Sequence, residues 1–292
     1  MNPSSELLTR VEKIIGSKPV SWTSINKGYT EAERYVMLFE NGSSAFVKVA
    51  TEKDTIKWLR DEYRIYSIIK ADYIPKVLGW DDGEFPILIL EDLSVGHWPP
   101  PWTDERIQKV LGVLKDLENM KVEGDFIPLS SVKAELSGWK EISKNPSGFL
   151  SLGLVDQKWL EDALPALMKA ESEVVLKGDS LVHTDVRSDN VCFLGDKTYL
   201  IDWNWTVRGN PKFDIVTWLP SLHAEGGPPP WTFDIDEPAL ITAFTGFLAN
   251  NAHKKNDSHK NWDAIQALRL KLLKSALPWT IKVLNLPEPT SN

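Results

Sequence analysis

A single cysteine, Cys192, stands in a chain of 292 residues, so no intrachain disulfide can form. That scarcity suits a reducing compartment, and the expected location is the cytoplasm. No run of apolar residues approaches the ~20 that a membrane-spanning helix needs. The opening Met1-Asn2-Pro3-Ser4-Ser5-Glu6 lacks the basic-then-apolar profile of a secretory signal. Neither His-Glu-x-x-His nor a paired Cys-x-x-Cys occurs, which leaves zinc without a ligand set. A Gly-x-x-x-x-Gly-Lys-Ser/Thr loop is also missing, which excludes a Walker-type nucleotide site. Positive charge is in deficit: 33 Lys and Arg face 41 Asp and Glu, a formal net charge of −8. Nucleic acid is therefore not an expected partner, because duplex binding needs a basic surface. Neither a membrane nor an obligate protein partner is expected.

What is present is an ordinary globular balance, 42% hydrophobic and 25% charged, with an unusual 13 tryptophans. Trp98, Trp102, Trp203, Trp205 and Trp231 are candidates for stacking on a ring or sugar, against the core-filling role of most tryptophans.

Along the chain the apolar spacing changes character. Ser4 or Ser5 can cap a helix carrying Leu7, Leu8, Val11, Ile14 and Ile15, closed by Gly16. Alternating runs at Tyr35–Phe39 and Ala45–Val49 flank Asn41-Gly42, a hairpin signal. Helical spacing returns from Lys53 to Lys70, and Pro75–Trp80 and Pro86–Leu90 read as strands. After Glu91-Asp92-Leu93-Ser94 the chain becomes mainly helical, with Thr103 as a cap and stretches near 156–170, 236–252 and 261–276. The expected organisation is a small mixed lobe over 1–93 and a larger helical lobe over 94–292.

Inside the helical part lies a β-like island from Leu181 to Ile201. It holds His183, Asp185 and Asn190, then Val191-Cys192-Phe193-Leu194, a turn at Gly195-Asp196, and Tyr199-Leu200-Ile201-Asp202. Two strands around that turn would return Asp202 to the neighbourhood of Asp185 and Asn190. Such an oxygen-rich set suits Mg²⁺, usually held by one or two carboxylates plus substrate phosphates. The remaining carboxylate can accept a proton from an attacking hydroxyl. Phosphoryl transfer calls for that inventory, together with cations that neutralise the phosphates.

The pattern His183-x-Asp185-x-x-x-x-Asn190, with Ile201-Asp202-Trp203 about a dozen residues on, resembles the aminoglycoside phosphotransferase and choline kinase-like family. The resemblance implies an α+β, two-lobed protein-kinase-like fold, with a small antiparallel sheet plus a helix and then a mainly helical lobe. It implies ATP and Mg²⁺ as cofactors. Asp185 would be the catalytic base, Asn190 and Asp202 the metal ligands, and Arg187 a group steadying the γ-phosphate. Lys48 falls where that fold carries its phosphate-binding lysine. Glu62, on a mostly apolar helix face, is its expected partner, since a carboxylate there is costly unless paired. Gly28, Tyr29 and Thr30 fall in the short loop over the phosphates. Glu91 and Leu93 fall where backbone groups meet adenine. Gly209-x-Pro211-x-x-Asp214 resembles a family segment whose aspartate braces the catalytic loop. Thr184 and Asn204 depart from the family pattern, replacing glycines common there.

The expected activity is transfer of the ATP γ-phosphoryl group to a hydroxyl of a small molecule, an aminoglycoside-like antibiotic or an amino or sugar alcohol. Glu225, Asp234, Asp236 and Glu237 are candidates for the acceptor pocket. The rival readings are a non-catalytic nucleotide-binding module, disfavoured by retention of Lys48, Asp185, Asn190 and Asp202, and a metal-dependent phosphohydrolase.

Overall fold

The computed structural model describes residues 2–26, 30–255 and 261–289. Helix α1 (Ser5–Ile15) begins where the Ser4 hydroxyl accepts the Leu7 N–H at 3.1 Å. It stops at Gly16, whose φ of 74° costs a residue without Cβ little. Strands β1 (Pro19–Ser24), β2 (Glu33–Phe39) and β3 (Ser44–Val49) follow, then helix α2 (Lys53–Ile68) and strands β4 (Val77–Asp81) and β5 (Ile87–Glu91). The Asn41-Gly42 turn joins β2 to β3, with Gly42 at φ 81°. These five strands form one antiparallel sheet in the order β1-β2-β3-β5-β4.

Helices α3 (Asp104–Asn119), α4 (Gly138–Lys144), α5 (Ser147–Leu150) and α6 (Gln157–Ser172) come next, with the Thr103 hydroxyl capping α3. Strand β6 (Ser180–Val182) leads to the loop of residues 183–190, β7 (Val191–Leu194) and β8 (Lys197–Leu200) form a hairpin, and β9 (Val207–Gly209) returns to pair with β6. Helices α7 (Lys212–Ala224), α8 (Pro238–Asn251) and α9 (Trp262–Val283) close the chain. Among the described residues no helix is long and apolar enough to cross a membrane.

The chain divides into two units: the described residues up to Pro99 with Asp189–Thr206, and Pro100–Ser188 with those from Val207 onward. In the first, side-chain alternation along β3 decides what faces what. Ala45, Val47 and Val49 join Tyr35, Met37, Phe39, Ile87 and Ile89 in a core closed by Leu7 and Val11 of α1. Lys48, between Val47 and Val49, points to the other face of the sheet. The β7–β8 hairpin belongs to this unit, its Cys192 and Tyr199 packed with Leu93. In the second unit, helices α4, α6, α7 and α9 pack against α8, which is buried nearly all round. Trp139, Trp218 and Trp279 are among its fully buried side chains.

Candidate active site

Two carboxylates of the first unit, Glu62 and Asp202, meet at the Lys48 ammonium. Helix α2 buries Thr55, Leu59, Glu62, Ile65 and Tyr66 along one stripe, so Glu62 sits on the apolar face at 2% exposure. Lys48 Nζ donates to Glu62 Oε2 at 2.7 Å and to Asp202 Oδ1 at 2.7 Å. The pairing expected of Lys48 and Glu62 is thus present, and Asp202 makes it a triad.

Burial pulls the Lys48 ammonium down, but Asp202 and then Glu62 more than offset this, and its pKa lies above the usual lysine value. Burial pushes the Glu62 carboxyl up, with Lys48 pulling against it. The neighbouring Tyr66 hydroxyl is driven well above its usual value, chiefly by burial and then by Glu62. Tyr66 stays protonated, and its oxygen accepts the Asp202 N–H at 3.4 Å.

Asp202 sits at φ 67°, a left-handed conformation that aspartate tolerates better than most residues. A single helical turn follows at Trp203–Trp205. Asn204, where the family commonly has glycine, needs no glycine here, because the positive φ falls on Asp202. With its amide nitrogen toward the Asp202 carbonyl (3.2 Å), the Asn204 oxygen accepts the Trp205 indole N–H (3.1 Å). Asn190, 4% exposed, lies at the same open end of the β7–β8 hairpin as Asp202, and its backbone carbonyl accepts the Ile201 N–H at 3.0 Å. A carboxylate and an amide oxygen on these two segment ends are hard oxygen donors. Two protein ligands leave the other positions of an octahedral ion to phosphates and water, the manner in which Mg²⁺ is usually held. The donor set therefore fits that ion.

Of the phosphate-loop residues, Gly28 and Tyr29 lie outside the described residues. The Thr30 hydroxyl accepts from Arg34, and Thr30 lines a small pocket with Lys48, Trp58, Asp202 and Asn204. The Glu91 N–H is taken by the Lys76 carbonyl (2.9 Å), and its carboxylate accepts the Tyr199 hydroxyl (3.1 Å). The Leu93 carbonyl accepts the Gly96 N–H (3.0 Å) and the Trp98 indole N–H (3.3 Å). Trp203 is corrected as a stacking candidate: it is fully buried and its indole donates to the Leu200 carbonyl, so no face is open to a ligand.

The second unit carries the loop residues His183–Ser188. Asp214, in the first turn of α7 and 2% exposed, accepts the His183 N–H at 2.8 Å and the Thr184 N–H at 2.7 Å. Burial pushes its carboxyl up to about 7, against those two hydrogen bonds, with Asp185 adding to the rise. Thr184 is held at φ 71°, which a β-branched residue rarely adopts. His183, fully buried, accepts the Asp185 N–H through Nδ1 at 3.2 Å, a bracing contact within the loop. Arg187 engages both oxygens of Asp185: Nε lies 2.7 Å from Oδ1, and Nη2 donates to Oδ2 at 3.1 Å. Both side chains remain partly exposed, 29% for Asp185 and 16% for Arg187.

Two contacts escaped the sequence reading. Ser188 donates its hydroxyl to Glu225 at 2.6 Å, and Trp102 donates its indole N–H to the other Glu225 oxygen at 2.9 Å. No spacing rule links these positions, which are 37 and 123 residues apart.

The sequence profile of the phosphotransferase enzyme family (APH) matches residues 21–239, three quarters of the chain. This chain belongs to that family. No curated protein matches it by sequence. Among solved structures it is similar to a spectinomycin phosphotransferase crystallised with ADP and spectinomycin, at 14% identity and TM-score 0.57, covering 98% of this chain and 99% of that one. A choline/ethanolamine kinase family protein from Mesorhizobium loti gives 10% identity and TM-score 0.59, covering 95% and 97%. A macrolide 2′-phosphotransferase type I gives 14% and 0.52, covering 99% and 95%. At such identities these likenesses establish the fold, which is protein-kinase-like, α+β, with an antiparallel N-terminal sheet and a helical C-terminal region.

Proposed function

We propose that this phosphotransferase moves the γ-phosphoryl group of ATP to a hydroxyl of a small molecule. The observation that carries the reading is the buried Lys48 ammonium held at 2.7 Å by both Glu62 and Asp202. A cation held in that way is oriented to meet phosphate oxygens. Family membership supports the reaction class.

Lys48 binds phosphate and Glu62 aims it. Asn190 and Asp202 hold Mg²⁺, which when bound neutralises charge on the phosphates. Thr30, with Gly28 and Tyr29, covers the phosphates, and the backbone from Glu91 to Leu93 meets adenine. Asp185 accepts the proton of the attacking hydroxyl. Its oxygens are engaged by the Arg187 fork, and the γ-phosphate competes for that fork, freeing the carboxylate as the nucleotide binds. The acceptor is an antibiotic of the aminoglycoside type or an amino or sugar alcohol, a range consistent with the spectinomycin and choline/ethanolamine enzymes of similar fold. The need for ATP and the single cysteine favour the cytoplasm.

The test is a phosphotransfer screen with MgATP over amino alcohols, aminoglycosides, spectinomycin and macrolides, repeated with Asp185→Asn. Turnover on one acceptor class is expected, with Asp185→Asn lowering it by roughly 10²–10⁴ and ATP affinity no weaker than in wild type. ATP binding with no turnover on any acceptor would favour the non-catalytic module instead.

A further inference from the structure

Helix α7 holds the catalytic loop at both of that loop's ends. Asp214, in its first turn, takes the backbone N–H groups of His183 and Thr184. At the helix C-cap, about 16 Å further along at 1.5 Å per residue, Glu225 accepts the Ser188 hydroxyl through Oε1 at 2.6 Å. Asp185 and Arg187 lie between these anchors in sequence. Glu225 is itself held. Its Oε2 accepts the Trp102 indole N–H at 2.9 Å, and Trp102 packs edge-on against the fully buried Trp218, ring centroids 5.8 Å apart.

We propose that Glu225 is a positioning residue for phosphoryl transfer, fixing through the Ser188 hydroxyl the end of the loop that carries Asp185 and Arg187. This rests on the phosphotransferase reading above. Three physical points support it. The Ser188 contact is an O–H donor to a carboxylate at 2.6 Å, in the short range of charge-assisted bonds. The loop contains Thr184 at φ 71° and so needs outside restraint to keep its shape. Asp185 and Arg187 pair with each other, so the two move as one body unless the adjacent residue is tied down. A displacement of about 1 Å in a catalytic group costs up to ~10² in rate. The tether acts on the position of the base and leaves nucleotide affinity alone.

The experiment uses the full chain with MgATP and water as acceptor, and compares Glu225→Gln, Ser188→Ala and Ser188→Thr. Phosphate release gives kcat and KM, and hydrogen exchange follows the backbone amides of residues 184–189. Glu225→Gln and Ser188→Ala are each expected to lower kcat about tenfold, the worth of one hydrogen bond to a charged group. KM for ATP stays within about twofold, and exchange over 184–189 accelerates. Ser188→Thr, which keeps the hydroxyl, retains wild-type turnover and protection. In an Asp185→Asn background each tether variant lowers the rate by less than it does in the wild-type background, because one of the groups being positioned is already gone. Full turnover and unchanged exchange in Ser188→Ala overturn the proposal, as do additive losses in the Asp185→Asn background. A wild-type chain that binds ATP yet transfers phosphate neither to water nor to any acceptor of the screen above overturns the phosphotransfer reading instead, and the exchange measurement then decides the tether by itself.

Discussion

Lys48 and Glu62, 14 residues apart on a strand and a helix, meet at 2.7 Å with neither more than 9% exposed. A buried ion pair of this kind is poor evidence of stability, because desolvation cancels much of the attraction. In the proposed reaction it aims the Lys48 ammonium at phosphate oxygens.

The pair acts as one unit in the proposed reaction, and its losses are therefore non-additive. Lys48→Ala leaves Glu62 buried without its partner, and Glu62→Ala leaves the ammonium to Asp202 alone. Each single variant is expected to lower kcat/KM for ATP, and the double variant is expected to be little worse than either. Steady-state kinetics on all four members of the cycle check this. Independent, additive losses would show two separate roles.

Asp202 touches Lys48 and is the only carboxylate proposed on the metal. Asp202→Ala is expected to remove the Mg²⁺ dependence of ATP binding, while metal-free ATP binds at least as well, since a negative charge has left the phosphate site. Calorimetric titration of ATP with and without Mg²⁺ decides it. A preserved Mg²⁺ enhancement in the variant moves the metal to other ligands.

Much of this site was legible because its parts are local. Asn41-Gly42 announces a hairpin, the alternation across β3 singles out Lys48, and a lone glutamate on an apolar helix stripe asks for a partner. The segment from His183 to Asp202 reads as loop, strand, turn, strand. What escaped was long-range. Glu225 is legible as an acid near the end of a helix, but its contacts with Ser188 and Trp102 exist only once α7 and the segment before α3 have packed. The burial of Trp203 is not legible either, because an aromatic residue carries no sign in the sequence of which way it faces. Strands β1 and β9 were missed for different reasons. Pro19–Ser24 has a burial pattern too shallow to alternate clearly, and Val207–Gly209 is only three residues long.

Asp214 makes stability depend on pH in a direction opposite to most carboxylates. Its folded pKa of about 7 lies above the ordinary 3.8, so the folded state holds a proton that the unfolded chain releases. The contribution is therefore fully present below pH 4 and is lost as the pH rises through 7. Each unit of difference corresponds to about 1.4 kcal/mol, which bounds the effect at about 4 kcal/mol. Asp214→Asn removes the titration. It also lowers stability at every pH, because one of the two backbone N–H groups loses its acceptor. The informative quantity is thus the slope and not the level. Urea unfolding of both proteins from pH 5 to pH 8 is expected to show wild type losing stability relative to the variant as the pH rises. Parallel profiles would mean that Asp214 is ionised throughout, its charge carried by the His183 and Thr184 amides. Asp185, which raises the Asp214 pKa, offers the cross-check: Asp185→Asn is expected to shift the wild-type transition to lower pH.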